Sequence, residues 1–449
     1  MADKNFDLET TISALARNKR YAALRDVLVT MNAADIAALF AGLEQEVLPL
    51  LFRLLPKELA AETFVEMDSD AQELLITGFS DSELKEVIDE LYIDDAVDIV
   101  EEMPANVVKR ILQQADAETR KQINEILKYP EDSAGSIMTT EFVELRPHMT
   151  VADAIKSIRR SGIEKETINT CYITMPDRTL SGQITIRAII IADDDDLVED
   201  IMEQHVISVS TMDDQETVAQ MFQKYDLLSL PVVDKENRLV GIVTVDDAID
   251  VLQEETTEDI EKMAAITPSD RPYLKTSVWS IYLHRIPWLL ILMISATFTG
   301  MIIMSFENAL AATVALTAFI PMLMDTGGNS GSQASVTIIR GLALQEIAFK
   351  DIFKVIFKEA RVSLLCGITL AAANFLKLML IDKVSLVISL VVCVTLVITV
   401  FVAKIIGCTL PMLAKKIGFD PAVMASPFIT TLVDAISLLT YFSVASFLL

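Results

Sequence analysis

At 449 residues the chain is too long for one compact core, and two to four domains are expected. Apolar types supply 52% and charged types 22%, and they segregate: residues 1–270 hold 24 Lys and Arg against 56 Asp and Glu, whereas residues 271–449 hold 13 against 8. A polyanion of this size repels nucleic acid and attracts metal cations, which sets nucleic acid aside as a partner.

Four cysteines, three of them in apolar segments, and three histidines (His148, His205, His284) make neither a disulfide framework nor a Cys/His metal spacing. Oxygen ligands suited to Mg²⁺, Ca²⁺ or Mn²⁺ are abundant instead. The opening MADKNFDLETTISALARNKR lacks a basic segment followed by an apolar one, so no cleaved signal peptide is expected.

Residues 1–130 read as a helical domain. Apolar side chains recur at helical spacing in VLVTMNAADIAALFAGL, EVLPLLFRLLPKELAAETFVEM, SELKEVIDELYIDDAVDIVEEM and NVVKRILQQADAETRKQINEIL, from residue 6 to 128. Pro49, Pro56, Gly78, Pro104 and Pro130 punctuate them. The cadence predicts a superhelical stack of helix pairs, each burying its apolar face on the next. With no catalytic motif, it reads as a scaffold or sensor arm.

From Glu131 short β-like runs alternate with helices. Two units align: SAGSIMTTEFVELRPHMTVADAIKSIRRSG with CYITMPDRTLSGQITIRAI, and EDIMEQHVISVSTMDDQETVAQMFQKYD with LLSLPVVDKENRLVGIVTVDDAI. Each runs I-M, a strand, T-V-A plus a helix, then two strands around a turn. This α+β repeat resembles the tandem cystathionine-β-synthase-type (CBS) pair, with units at 131–200 and 201–253. The second copy matches closely, ending in Thr244 and Asp247 of a T-x-x-D; the first is degenerate. Residues 254–276 form an acidic connecting helix and a turn.

Hydrophobic segments follow near 286–306, 309–324 with a continuation at 332–344, 354–380, 384–413 and 422–448, most of them near the roughly 20 residues of a spanning helix. Five spans, a mainly α transmembrane bundle over 277–449, are predicted. With the acidic half inside, the loops at 271–285, 340–361 and 415–416 are cytoplasmic and carry 10 of the 13 basic residues, in accord with the positive-inside rule. An odd count places the C-terminus outside, in a multi-pass plasma (inner) membrane protein.

Three constellations could carry chemistry. Asp434 lies in the middle of the last hydrophobic segment, where an ionisable group costs about 2.5–3.5 kcal/mol on lenient scales and normally marks function. Mg²⁺ loses water reluctantly, so one or two carboxylates touching its hydration shell suit it. Two protomers around a two-fold axis would supply that pair. Pro421, Ala425, Ser426 and Pro427 could free carbonyls nearby, and Thr430 is one turn away. Second, PMLMDTGGNSGSQAS (321–335) interrupts the second span; it reads equally as pore lining, tolerated only inside protein or beside water, and as a small-residue packing site. Asp325 in it has no assigned role. Third, acidic clusters fall at 94–102, 193–203, 213–216, 246–250 and 254–261; such crowding repels itself unless cations bridge it, which makes a switch.

Nearly the whole chain resembles the MgtE family of magnesium channels, most specifically in YDLLSLPVVDKENRLVGIVTVDDAIDVLQEETTEDI, TGGNSGSQ and DPAVMASPFITTLVD. The resemblance implies a homodimer with a pore between protomers, held shut by magnesium bound among N domain, CBS pair and connecting helix. It implies that Asp434 is the pore magnesium ligand, Thr430 a backbone contributor and Asp420 a carboxylate at the cytoplasmic entrance. The positions matching regulatory sites are Asp214, Asp226, Asp247, Asp250, Glu255, Glu258 and Asp259, with Asp94, Asp95 and Asp98 in the N domain. Ser426 stands where some members have Asn, and Thr185-Ile186-Arg187-Ala188 lacks the Asp with which some members hold ATP, so ATP is not expected. Mg²⁺ is thus both cargo and regulator, in a non-enzymatic transporter with no protein substrate. An intramembrane metalloprotease would need H-E-x-x-H, and His284 is the lone histidine of the membrane half. A broader carrier of Co²⁺ or Mn²⁺, or a sensor that does not conduct, are the alternatives.

Overall fold

The computed structural model describes residues 11, 12, 14–16, 18–269, 273–307, 313–424 and 426–448; the side chains of Glu164 and Ser426 fall outside this description. Of the segments singled out above, residues 1–10, 13, 17, 270–272, 309–312 and 425 and the Ser426 side chain therefore lie outside the described residues. The chain divides into two units, Met1–Leu252 and Gln253–Leu449.

In the first unit, short helices run from Tyr21–Leu28 to Ala117–Ile126. Their starts are encoded locally. Asp68 and Asp116 accept hydrogen bonds from the first-turn amides of their helices, and Ser80 with Glu83 closes a capping box. Pro56 and Pro104 stand at the residue before a helix, where an extended backbone suits them. Between neighbours, Leu28, Ile36, Leu51, Phe64, Leu75, Val97 and Ile123 are buried in one continuous core. The helix that bears Asp94, Asp95 and Asp98 is α1, Ile93–Glu102.

The remainder of the unit holds two three-stranded sheets of identical topology. Strands β1 (Glu144–Leu145), β2 (Thr170–Thr174) and β3 (Leu180–Thr185) form one, and β4 (Val209–Ser210), β5 (Ser229–Val233) and β6 (Leu239–Thr244) the other. In each, the outer strand pairs parallel and the last antiparallel with the middle one. The I-M segments of the repeat cross over: Thr139 of the first bridges to Ile242 on β6, and Glu203 beside the second bridges to Gln183 on β3. Met138 and Met202 thereby press on Gly241 and Gly182, where an added Cβ would lie 2.6 and 2.7 Å from sulfur. Only glycine admits so close an approach. In the second copy, β5 leads through β6 into α3, Val245–Met263, after helix α2, Gln215–Tyr225.

The second unit begins inside α3, at Gln253. Beyond it come α4 (Val278–Ser305), α5 (Ile320–Ala343, led in by the 3₁₀ turns Val314–Phe319), α6 (Ile352–Leu380), α7 (Leu386–Lys416) and α8 (Ser426–Leu448). Among the described residues four helical stretches, Val278–Ser305, Phe349–Leu380, Leu386–Lys416 and Ala422–Leu448, are long and apolar enough to cross a membrane. Helix α5 is long enough at 24 residues but too polar to count by composition.

Helix α5 corrects one expectation. The segment 321–335 does not interrupt a helix; it is helical throughout. Its glycines meet other helices rather than kinks. A Cβ on Gly328 would lie 2.8 Å from Thr430 Cγ2, one on Gly327 2.8 Å from Thr399 Cγ2 and 2.9 Å from Val433 Cγ1, and one on Gly331 2.7 Å from Ile429 Cγ2. Gly407 of α7 sits directly on the Gly331 carbonyl. This is the small-residue packing of membrane helices, in which missing side chains let backbones touch.

Candidate functional site

Three groups of predicted residues come together, in different places. The first is in the Met1–Leu252 unit. Asp94 and Asp95 open α1, where the helix amides favour negative charge. Asp94 is buried, and burial, Asp247 and Asp95 raise its carboxyl well above the usual range. Burial and the Asp247 and Asp246 charges push Asp95 to about 7. Asp98 keeps an exposed edge, yet surrounding protein and Asp247 push it in the same direction. Asp247 itself takes a 2.5 Å hydrogen bond from the Thr244 hydroxyl, the T-x-x-D contact, while burial raises it.

The sequence reading missed two members of this cluster. Glu166 is pushed to about 8 by burial, then Asp95 and Asp247. Glu141 accepts the Ile93 amide at 3.1 Å, pinning the start of α1. Neither stands in an acidic run, so nothing in the local pattern marked them. Glu166 Oε2 and Thr140 Oγ1 are closed to water and have no hydrogen-bond partner. Beside them runs a groove of about 890 Å³ lined by Glu58, Glu62, Glu90, Asp95 and Glu141, with Lys165. Among the described residues no three Asp, Glu, His or Cys side chains close on one point as a bare-metal cage.

The second group is in the Gln253–Leu449 unit. Asp259 is pushed to about 6 by burial and by Asp420, with Glu255 and Glu258 adding to the effect and Lys262 opposing it. Lys262, not anticipated from sequence, lies one turn from Glu258 and bonds it at 2.6 Å; it also bonds Asp420 Oδ2 at 2.7 Å. Asp420 Oδ1 takes the Ala422 amide at 2.7 Å.

The third group is intramembrane. Asp434, half-buried on α8, makes no hydrogen bond or ion pair among the described residues, and its one ionisable neighbour is Asp325 of α5. The glycine contacts explain why: Gly331, Gly328 and Gly327 meet Ile429, Thr430 and Val433 in reverse order, so the helices run antiparallel and bring residue 325 to the level of Asp434. Thr430 turns its hydroxyl back on the Pro427 carbonyl (2.9 Å). Asp325, Asn329 and Gln333 also line a groove of about 490 Å³ with Thr369 and the buried Lys404. Lys404 lies 4.0 Å from Glu359 of α6, a pair the sequence reading did not mark.

Asp214 and Asp226 stand apart from all three groups. Asp214 caps α2, accepting the amides of Glu216 and Thr217; Asp226 ends the same helix in a left-handed conformation. An 11-residue helix separates them by roughly 16 Å, too far to share an ion. Asp250 lies exposed beside Asp246, whose charge adds to burial in raising it.

Known proteins match along this same order. The family model described as the MgtE intracellular N domain matches residues 31–132, the CBS domain matches 134–195 and 198–254, and MgtE, a divalent cation transporter, matches 320–444. The chain is 38% identical over 435 residues to a protein of Thermus thermophilus named magnesium transporter MgtE, covering 95% of each. A protein of the same name from Bacillus subtilis (strain 168) is 32% identical over 444 residues, covering 98% of this chain and 97% of that one. Among solved structures, the cytosolic domain of the Mg²⁺ channel MgtE in complex with ATP is 35% identical with a TM-score of 0.52, covering 54% of this chain and 99% of that one. The soluble part of a magnesium transporter is 30% identical, also at 0.52, covering 56% and 99%. With relatives at this identity spanning nearly its whole length, the chain belongs to the MgtE family, a family of divalent cation transporters.

Proposed function

We propose that the chain is a magnesium channel, closed from inside by the ion it carries. The observation that carries the reading is Asp434: a half-buried carboxylate on a spanning helix whose one ionisable neighbour is a second carboxylate, Asp325. Two carboxylates at bilayer depth, neither in an ion pair among the described residues and with the nearby Lys404 turned to Glu359, call for a mobile cation. Mg²⁺ with most of its water retained fits, because the carboxylates then touch its shell and do not cage it. Two protomers facing across a two-fold axis would double the site, and a homodimer is the assembly proposed. In this reading α5 is a fifth span, its polar edge turned to the aqueous path, and Thr430 lends a backbone oxygen.

Orientation follows from charge. With the acidic half in the cytoplasm, the basic loops face inward and the C-terminus lies outside an inner membrane. The membrane potential, about 2.3 kcal/mol per charge per 100 mV and twice that for a divalent ion, then drives entry. Regulatory Mg²⁺ would be held by Asp94, Asp95 and Asp247, with Glu166 completing the set, and by Glu255, Asp259 and neighbours near Asp420. Passage of Co²⁺ or Mn²⁺ through the same oxygen site is the broader alternative. A sensor that does not conduct is the other.

Flux into liposomes decides between these. Purified full-length protein should carry Mg²⁺ down an imposed potential, and Asp434→Ala should reduce that flux at least about 100-fold, the equivalent of near 3 kcal/mol of lost ion stabilisation. An Asp434→Ala variant that conducts like its parent defeats the pore assignment, and a parent that passes no Mg²⁺ leaves the sensor.

A further inference from the structure

Lys262 has an unusual place for a basic residue. Helix α3 carries Glu254, Glu255, Glu258, Asp259 and Glu261 over its last three turns, and Lys262 is the one basic side chain of that helix. Its Nζ does not point to solvent. It is seated 2.6 Å from Glu258 Oε1 and 2.7 Å from Asp420 Oδ2, its side chain 23% exposed. Asp420 is bound at both oxygens, for its Oδ1 receives the Ala422 amide at 2.7 Å and so starts the 3₁₀ turn Ala422–Met424 that precedes α8. Ala422 is fully buried. A covalent and hydrogen-bonded line thus runs from Glu258 through Lys262 and Asp420 to the foot of the helix that bears Thr430 and Asp434.

We propose that Lys262 is the positioning residue of the gate: its ammonium latches α3 to the loop leading into α8, so that divalent ions complete a closure that a side chain has already begun. The inference rests on the regulatory reading above and adds to it a cation that the protein supplies itself. The geometry favours a latch over a passive surface pair, because one ammonium spans two carboxylates on segments more than 150 residues apart, and one of them is locked to backbone. A rival role exists for the same contact. If Lys262 only occupied oxygens that Mg²⁺ would otherwise take, removing it would make the site more anionic and closure easier. The two roles move gating in opposite directions.

The test uses full-length channel in excised patches, with Mg²⁺ varied on the cytoplasmic face. Lys262→Gln keeps the stem and removes the charge. It should raise the half-closing Mg²⁺ concentration about fivefold or more, the low end of usual coupling between sites, with unitary conductance at low Mg²⁺ unchanged. Lys262→Arg, whose planar fork can still span two carboxylates, should close within about twofold of the parent. Unchanged conductance also certifies that both variants are folded. Closure of Lys262→Gln at the same or a lower Mg²⁺ concentration than the parent overturns the latch, as does an arginine variant that behaves like glutamine. If the parent itself conducts but ignores cytoplasmic Mg²⁺, the regulatory reading falls, and the latch with it.

Discussion

Asp434 and Asp420 are both carboxylates on the approach to or within α8, and their surroundings separate them. Asp420 is satisfied by Lys262 and the Ala422 amide, whereas among the described residues Asp434 makes no hydrogen bond or ion pair and has Asp325 as its ionisable neighbour. A satisfied carboxylate holds structure; an unsatisfied one at depth awaits a ligand. Asp247 lies between the two kinds: it accepts the Thr244 hydroxyl and amide, yet Asp94, Asp95 and Asp98 all feel its charge. Ligands shift only equilibria they bind differentially. Replacing Asp247, Asp250 and Asp259 together by Asn should therefore raise the half-closing Mg²⁺ about fivefold or more in patch recordings. A triple variant gating at the parent concentration removes these residues from the sensor. Asp247 and Asp259 were legible as residues in acidic runs, but Glu166 and Lys262 were not, because their importance lies in partners distant along the chain.

At the scale of elements, α5 shows where local reasoning stops. Glycine disfavours a helix by about 1 kcal/mol relative to alanine, and Gly327, Gly328 and Gly331 together with Pro321 read locally as a break. Packing reverses that local preference. Gly407 meets the Gly331 carbonyl, so backbone contact between α5 and α7 replaces what the side chains would have contributed. Gly407→Ala should then overpack this crossing by about 1–3 kcal/mol or more. The expected result is a lower melting temperature for detergent-solubilised protein. Gly300→Ala in α4 is the control, for nothing lies within 4 Å of the added Cβ and the helix should hold or gain. Equal melting of both variants would mean that the α5–α7 contact does not bear on stability. The helix pairs of residues 21–126 needed no such correction: their caps and apolar spacing act within a few residues.

Across the whole molecule the decisive quantity is the excess of 56 acidic over 24 basic residues in the first 270. Folding concentrates part of it where α1 meets Asp247 and Glu166. Asp95 and Glu166 titrate near 7 and 8 in the fold, against about 4 when unfolded. Below about pH 4 they are protonated in both states and carry no penalty. Between about 4 and 8 the unfolded chain loses these protons while the folded one resists, so stability falls as pH rises, and the loss is complete above about 8. In the proposed regulation, divalent cations replace the missing protons. Hydrogen exchange in Ile93–Glu102, corrected for intrinsic rates, should accordingly show weaker protection at about pH 8 than at about pH 5.5 without Mg²⁺, and recover at the higher pH when Mg²⁺ is added. Protection indifferent to both would show that no cation bridges this contact.

Sequence alone determined what depends on composition and short range: the acidic and apolar halves, the repeated β-strand units, most of the apolar spans, and Asp434 as a carboxylate within the last apolar segment. Each follows from transfer free energy or periodicity, which act residue by residue. Tertiary structure alone decided which charges meet. Asp325 reaches Asp434 because glycines let two antiparallel helices approach, Glu166 joins Asp94 because the first α+β unit packs on α1, and Lys262 finds Asp420 across more than 150 residues. Electrostatic energy depends on distance through space, and distance through space is what a linear pattern does not contain.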